Sequence, residues 1–519
     1  MKLKELHKTI HEVGITGSEV KNHGNNAPDQ EIEVTSLHYD TRHVRPGGLF
    51  VAIEGFLTDG HRYIQDAVKM GAVAVVSQKP TDTPVPVFQV SDSRKALALL
   101  ADRFFGNPSR HLTIIGITGT NGKTTTAYLI ENILLAAGFH VGVIGTVNYR
   151  YKGKIFDNPV TTPESLDLQR ILAEMISEGV THVVLEVSSH AIDLSRIEGC
   201  RIDIGVFTNL TQDHLDYHGD MDQYWACKKR LFTEYLGVDK KALAVINTDN
   251  PHGLELVSDL SYPCITTGHS SGSMIRSESM IIDFNGIRGT VTTPQGSVYL
   301  DSSLVGKHNL ENILSAAGVG SALTLTPKAI QTGINRTLSV PGRLERVPGD
   351  LERPVYVDYA HTPDALENVL MALKQLAPRR IICIFGCGGN RDKAKRPLMG
   401  QIAAAASDLA IVTSDNPRFE KPGDIIDQIL PGIQGVSQNE YSVEELQDGF
   451  SHKGYYREPD RKRAIQTGIR AAKPGDIVLI AGKGHETYQI IGDTSTPFDD
   501  RIVAQSVLSA LHAEVDRQR

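Results

Sequence analysis

The run "GITGTNGKTTTAYL" at residues 116–129 places glycines, a lysine and hydroxyls at the spacing that phosphate chemistry needs. Gly119 and Gly122 allow the backbone, through Thr120 and Asn121, to turn its N–H groups onto phosphate oxygens. Lys123 is expected to reach the β- and γ-phosphates of ATP, and the Thr124 hydroxyl to ligate Mg²⁺, with Thr125 one step further along. The strict phosphate-loop pattern carries glycine where this chain has Ile117. Context supports the assignment despite that departure: the apolar run "LTIIGI" precedes the loop, and "KTTTAYLIENILLAAG", with apolar spacings of three and four, follows as a helix whose positive end faces the phosphates.

Two further residues sit where a metal would want them. Glu186 ends the strand "THVVLE", and His214 in "NLTQDHLDYHGD" follows the strand "IDIGVFTN". Ligands of open α/β sheets lie beyond the C-terminal strand ends, so a carboxylate and an imidazole there could hold metal. The residues alone leave alternatives open, since Glu186 could cap the next helix and His214 could be a hydrogen-bonded loop residue.

The elements that must position these groups fall into three regions. Residues 1–107 mix short strands ("GGLFVAIEG", "AVAVVSQ") with the helical stretch "RYIQDAVKMGA", and "FFGNPSRH" reads as a linker. Residues 108–340 alternate strand and helix, predicting a doubly wound parallel sheet with β-hairpins added at 276–304. After Pro341-Gly342, the strands "PVYVDYA", "RIICIFG", "DLAIVTS" and "DIVLIAG" predict a Rossmann-like domain over 341–519. The expected fold is therefore α/β in three domains. With 519 residues, 40% hydrophobic and 22% charged, the chain can bury several cores. Its charge of −8, from 53 basic and 61 acidic residues, argues against nucleic acid as partner. Cys200, Cys227, Cys264, Cys383 and Cys387 show no metal-ligand spacing and read as thiols of a reducing compartment. The N-terminus lacks an apolar signal core and no apolar run is long enough to span a membrane, so a cytoplasmic protein without membrane insertion is expected.

The blocks "TGTNGKTTT", "LEVSSHA", "NLTQDHLDYHGDM", "GKHNLENILSA", "VPGRLE", "VDYAHTPDAL", "FGCGGNRDKAKRPLMG", "SDNPR" and "AGKGHETYQ" occur in that order. Together they resemble the Mur ligases of peptidoglycan synthesis, over nearly the whole chain. The resemblance implies an N-terminal domain for the UDP part of the substrate, a central ATPase and a C-terminal amino-acid domain. It implies that ATP phosphorylates the D-glutamyl carboxylate of UDP-N-acetylmuramoyl-L-alanyl-D-glutamate and that an amine captures the acyl phosphate. By position in the family, Glu186 and His214 become metal ligands beside Thr124. Lys228 in "YWACKKRLF" becomes an N-carbamylated metal ligand, although on its own the run Lys228-Lys229-Arg230 reads as solvated. Asn309, Arg343 and Asp358 fall at positions used around ATP. Tyr39, Thr41, Phe56, Leu57 and Thr58 match uridine-contacting positions, and Thr161, Thr162, Ser188 and Arg196 match those that hold the muramoyl-peptide. Val160 and Leu194 depart from the polar residues of a relative, which puts two substrate contacts in doubt.

The resemblance also bears on the amino acid. Asp415, Asn416, Pro417 and Arg418 match the tetrad of the members that add meso-diaminopimelate, and Arg391, Gly482 and Glu486 match the remaining contacts. The chemistry agrees: diaminopimelate carries a second carboxylate that a guanidinium can grip with two hydrogen bonds, and the same Arg418 would repel the distal ammonium of lysine. Rival readings are a nucleotide-driven switch or transport ATPase, another Mur enzyme, and a relative of folylpolyglutamate synthetase. The "DNPR" and "GKGHE" blocks oppose the last two. A monomer acting on small molecules is expected.

Overall fold

Three α/β sheets follow one another along the chain, and the strand order of the second sets the phosphate loop in place. The computed structural model describes residues 1–12, 16–21, 32–55, 58–236, 242–349, 352–447 and 449–518. These form two compact units: residues 1–276 with 293–296 and 315–333, and residues 277–292 with 297–314 and 334–519.

The first unit begins with a five-stranded sheet in the spatial order Thr16–Lys21, Val87–Val90, Ala72–Ser77, Gly48–Val51, Ser36–His38, antiparallel at its first pair and parallel thereafter. Leu3, Leu6 and Ile10 of the first helix and Leu97 and Leu100 of helix Ser93–Phe104 are buried against it. Asp92 starts the latter helix by accepting hydrogen bonds from the N–H groups of Arg94 and Lys95.

The sheet that carries the phosphate loop includes, in this order, the parallel strands Cys264–Gly268, Leu243–Asn247, Ile204–Phe207, Thr113–Thr118, His182–Glu186 and Val141–Ile144. Tyr149–Tyr151 and Lys154–Phe156 extend it as an antiparallel hairpin. The strands are apolar without alternation because helices cover both faces; Ile114, Val183, Val184, Val206 and Ile246 are fully buried. Strand Thr113–Thr118 comes first in sequence yet lies in the middle. The chain then builds one side of it before crossing to the other, so the loop after Thr118 opens at a switch point, flanked by the ends of strands His182–Glu186 and Ile204–Phe207.

The second unit holds a six-stranded sheet in the order Glu345–Arg346, Val355–Asp358, Asp476–Ala481, Arg380–Phe385, Leu409–Val412, Gly454–Arg457, parallel except at its first pair. The sequence expectation of parallel strands separated by helices holds here. Strands Gly286–Thr293 and Gly296–Ser302 form where hairpins were expected, and the Phe284 carbonyl accepts hydrogen bonds from Arg346 (3.2 Å) and the Tyr356 hydroxyl (3.4 Å). Four of the five cysteines are buried and all five are free thiols. Among the described residues no helix is long and apolar enough to cross a membrane.

Candidate active site

The phosphate loop is shaped by its glycines and by the neighbouring strand end. Gly119 has φ +147°, and a Cβ there would lie 1.9 Å from Thr208 Oγ1, so only glycine fits. Gly122, at φ +86°, makes the left-handed turn into the helix that starts at Lys123. Between them, the Thr120 N–H donates to the Asn209 carbonyl (2.9 Å), the Asn121 N–H to Asn209 Oδ1 (2.9 Å), and the Thr208 hydroxyl to the Asn121 carbonyl (2.7 Å). Sequence reasoning missed Thr208 and Asn209; their signal was a polar pair directly after an apolar strand.

Glu186 is buried at the neighbouring strand end and faces the loop. Its Oε2 accepts from the hydroxyls of Thr124 (3.0 Å) and Thr146 (2.9 Å), and its Oε1 accepts from the Thr146 N–H (3.1 Å). It caps no helix: the next one, Ser189–Asp193, is capped by Ser188. A hydroxyl and a carboxylate in direct contact beside a phosphate loop form an all-oxygen donor set that suits Mg²⁺.

Lys228 is 1% exposed, unlike its neighbours in the basic run. Its Nζ donates to the Gly119 carbonyl (3.0 Å), the same oxygen that accepts from Lys123 Nζ (2.8 Å), and lies 4.4 Å from the centre of the Tyr224 ring. Burial, reinforced by the Lys123 charge, pushes the Lys228 amine well below the usual lysine range. A neutral amine is the form that reacts with carbon dioxide. His214, at φ 54°, lies edge-on to His190 with 5.0 Å between ring centres. Burial lowers the pKa of both rings, His190 to about 4. That leaves them neutral and able to ligate metal. His190, within "LEVSSHA", was not singled out from sequence.

The residues matched to the muramoyl-peptide cluster around Glu186. Thr161 Oγ1 lies 3.1 Å from Thr146 Oγ1, the buried Thr162 hydroxyl donates to the Glu186 carbonyl (2.8 Å), and the Ser188 N–H donates to Thr162 Oγ1 (3.2 Å). Arg196 donates through Nη1 to the Thr162 carbonyl (3.0 Å), while its buried Nε–H has no hydrogen-bond partner among the described residues. Glu164 ties this cluster to helix Ser93–Phe104, pairing with Arg94 (3.0 Å) and approaching Arg196 (3.6 Å). Tyr39 donates its hydroxyl to Asp167 (2.6 Å), Thr41 opens the turn that Asp40 caps, and Thr58 Oγ1 is 3.2 Å from the Tyr63 hydroxyl. Phe56 and Leu57 lie outside the described residues.

The second unit gathers the other predicted residues. A Cβ on Gly388 would lie 3.1 Å from Arg418 Nη1, 3.6 Å from Arg391 Cγ and 3.8 Å from Asp415 Oδ2, so these three side chains converge over a glycine floor. Gly482 is adjacent, its would-be Cβ 3.9 Å from Asp415 Cγ. Arg418 adopts φ 50°, a left-handed conformation costly for a side-chain-bearing residue. Backbone pairing to the strand Tyr488–Ile491 and its turn holds it: its N–H donates to the Ile490 carbonyl (3.1 Å) and its carbonyl accepts from Gly492 (2.7 Å). Its guanidinium donates to the Gly389 carbonyl (3.0 Å). The Pro417 carbonyl packs so closely on Gly389 that a Cβ there would sit at 1.8 Å. Asn416 donates to Glu486 Oε2 (2.9 Å), and the fully buried Lys483, unnoticed in the sequence, donates to both (3.1 Å each). Asn309, Arg343 and Asp358 also belong to this unit. Asn309 donates to the Val305 carbonyl (2.8 Å), the Arg343 guanidinium lies 5.2 Å from the Tyr359 ring centre, and Asp358 accepts from the N–H groups of Leu344 (2.7 Å) and Ala360 (2.8 Å).

A phosphate loop facing a buried carboxylate in one α/β unit, and a charged loop at strand ends in a second, are the features of a family of ATP-using ligases. Residues 33–105 match the Mur ligase family catalytic domain, residues 117–320 the Mur ligase middle domain, and residues 342–484 the Mur ligase glutamate ligase domain. The chain belongs to the Mur ligase family. Within it, the chain is 50% identical over 475 residues to the UDP-N-acetylmuramoyl-L-alanyl-D-glutamate–2,6-diaminopimelate ligase of Geobacter metallireducens, covering 91% of this chain and 93% of that protein. The protein of the same name from Geobacter sulfurreducens is 45% identical over 96% of this chain and 97% of its own. A solved structure of such a ligase is similar with TM-score 0.69 at 30% identity, covering 99% of each chain. The MurF ligase from Thermotoga maritima in complex with ADP shares the fold at TM-score 0.60 and 20% identity, covering 94% of this chain and 99% of that one.

Proposed function

We propose that this chain joins meso-2,6-diaminopimelate to the side-chain carboxylate of the D-glutamyl residue of UDP-N-acetylmuramoyl-L-alanyl-D-glutamate, using ATP and releasing ADP and phosphate. A phosphate loop alone is shared by motors, switches and kinases. The observation that carries the ligase reading is the second loop, where the guanidinium of Arg418 converges with Asp415 over Gly388, close to Glu486 and Lys483. Such a set of opposed charges suits a zwitterion, not a phosphate.

A carboxylate is a poor acyl donor because its oxide is a poor leaving group. In the proposed reaction a glutamyl carboxylate oxygen attacks the γ-phosphorus of ATP, ADP departs and an acyl phosphate forms. The diaminopimelate amine then attacks the acyl carbon, phosphate leaves with the bonding pair, and the amine gives up a proton. Two anions must meet in the first step, so charge neutralisation is the main catalytic need. In this reading Lys123 and the N–H groups of Gly122, Lys123, Thr124 and Thr125 hold the phosphates, while the N–H groups of Thr120 and Asn121, expected to do so from the sequence, are spent on Asn209 and shape the loop instead. Mg²⁺ would be held by Thr124, Glu186, His214 and Lys228 as a carbamate, and would neutralise charge between the two anions. Arg196, Thr161, Thr162 and Ser188 hold the peptide. Tyr39, Thr41 and the 56–58 stretch hold uridine, and Asn309, Arg343 and Asp358 serve ATP. In this reading residues 1–107 are the UDP-substrate domain, 108–340 the ATPase and 341–519 the amino-acid domain, in a cytoplasmic monomer.

The test is a parallel assay of purified protein, ATP, Mg²⁺ and the UDP-dipeptide with either diaminopimelate or lysine. Product with diaminopimelate and none with lysine is expected; the reverse would overturn the substrate assignment. Arg418→Ala should raise KM for diaminopimelate by roughly one to three powers of ten, from loss of about 2–4 kcal/mol. An unchanged KM would remove Arg418 from the site.

A further inference from the structure

In the "AGKGHE" block, Lys483 has no task in the motif reading or in the proposed mechanism. The Lys483 side chain is fully buried at the end of strand Asp476–Ala481. Its Nζ lies 3.1 Å from Asn416 Oδ1, 3.1 Å from Glu486 Oε2 and 3.8 Å from Asp415 Oδ1. Asn416 closes the ring, donating through Nδ2 to the same Glu486 Oε2 (2.9 Å) and accepting at Oδ1 from the Ile490 N–H (3.0 Å). Two donors therefore occupy Oε2 of Glu486. The buried Oδ1 of Asp415 has no hydrogen-bond partner among the described residues. A buried carboxylate oxygen without a donor is costly unless a ligand supplies one.

The charges can be counted. Asp415 and Glu486 bring two negative charges to a largely buried site and Lys483 brings one positive; the nearby Arg461 is cancelled by Asp500, so one net negative charge remains for a ligand ammonium. Arg418, beside them over Gly388, matches a carboxylate. We propose that Lys483 is a positioning and specificity-determining residue of the amino-acid site: it locks Glu486 and Asn416 in place and cancels one carboxylate, so that the pocket accepts a single ammonium–carboxylate centre. This rests on the reading of the loop as the diaminopimelate site.

The experiment uses the full-length enzyme and three proteins: wild type, Lys483→Met, and Lys483→Met combined with Glu486→Gln. Wild-type turnover of diaminopimelate is measured first, since its absence would sink the site reading itself and not the role of Lys483. In Lys483→Met, KM for diaminopimelate should rise at least about 30-fold, with KM for ATP and for the UDP-dipeptide changed less than about threefold. Hydroxylamine trapping of the acyl phosphate, which needs no amino-acid site, should persist and reports a folded ATPase. The double variant restores the net charge and should recover at least about fivefold of the lost KM, an effect that a purely structural lysine would not produce. If Lys483→Met does not fold, the double variant, which buries no unpaired carboxylate at 486, is compared directly with Glu486→Gln. A KM equal to or below that of Glu486→Gln supports the charge count, and a higher one overturns it. An unchanged KM in Lys483→Met, or loss of trapping in proportion to loss of turnover, also overturns the proposal.

Discussion

Lys228 shows how much a single residue's environment can decide. In the run Lys228-Lys229-Arg230 the three cations look alike. Helical periodicity separates them: Lys229 pairs with Asp259 and Arg230 with Glu234 (2.9 Å), while Lys228 turns inward onto the Gly119 carbonyl. Burial, reinforced by the Lys123 ammonium on the same carbonyl oxygen, pushes the Lys228 amine well below the usual lysine range. Replacing it by alanine should lower kcat by about 100-fold or more, with partial recovery when short carboxylic acids refill the position of the carbamate. Phosphate release with and without added acid measures this, and full activity in the alanine variant would rule out the carbamate.

Among elements, the buried pair of Arg461 and Asp500 links strands that are not neighbours. Arg461 donates to Asp500 through Nε (2.8 Å) and Nη2 (2.7 Å), and also to the carbonyls of Ser414 (3.2 Å) and Ala481 (3.0 Å). Those carbonyls end the segments after strand Leu409–Val412 and of strand Asp476–Ala481, which strand Arg380–Phe385 separates. The next residues are Asp415 and Gly482, so helix Arg461–Ala471 and the start of the last helix brace both loops of the amino-acid site. Asp500→Ala would leave a guanidinium buried and unpaired, at a cost of about 3–5 kcal/mol, which lowers Tm by roughly 6–20 °C. Scanning calorimetry tests this; a fall under about 2 °C would show that the pair bears little of the unit's stability.

At the scale of the whole molecule, the chemistry is divided between parts of the chain far apart in sequence: the phosphate loop near residue 120 and the amino-acid loop near residue 418. Neither can complete the reaction alone. ATP turnover should therefore depend on every substrate: ADP release without the UDP-dipeptide or without diaminopimelate should stay below roughly one hundredth of the full rate. Coupled measurement of ADP under each omission checks this. Substantial turnover with ATP alone would favour the nucleotide-driven switch or transport ATPase.

The sequence by itself determined what is local. The phosphate loop, the alternation of strand and helix, the hairpin at 149–156 apart, and the ordered blocks that mark the family all depend on residues close together in the chain, where propensity and spacing act. Glu186 and His214 were legible as candidates because they follow recognisable strand ends, but their alternatives stayed open. Tertiary structure alone decided partnership. It brought Thr146 to Glu186 from 40 residues away, set Thr208 and Asn209 against the phosphate loop, singled out Lys228 from its basic run, and buried Lys483 among Asp415, Asn416 and Glu486. Burial and charge pairing depend on which strands lie side by side, and that adjacency is not written in any short stretch of sequence.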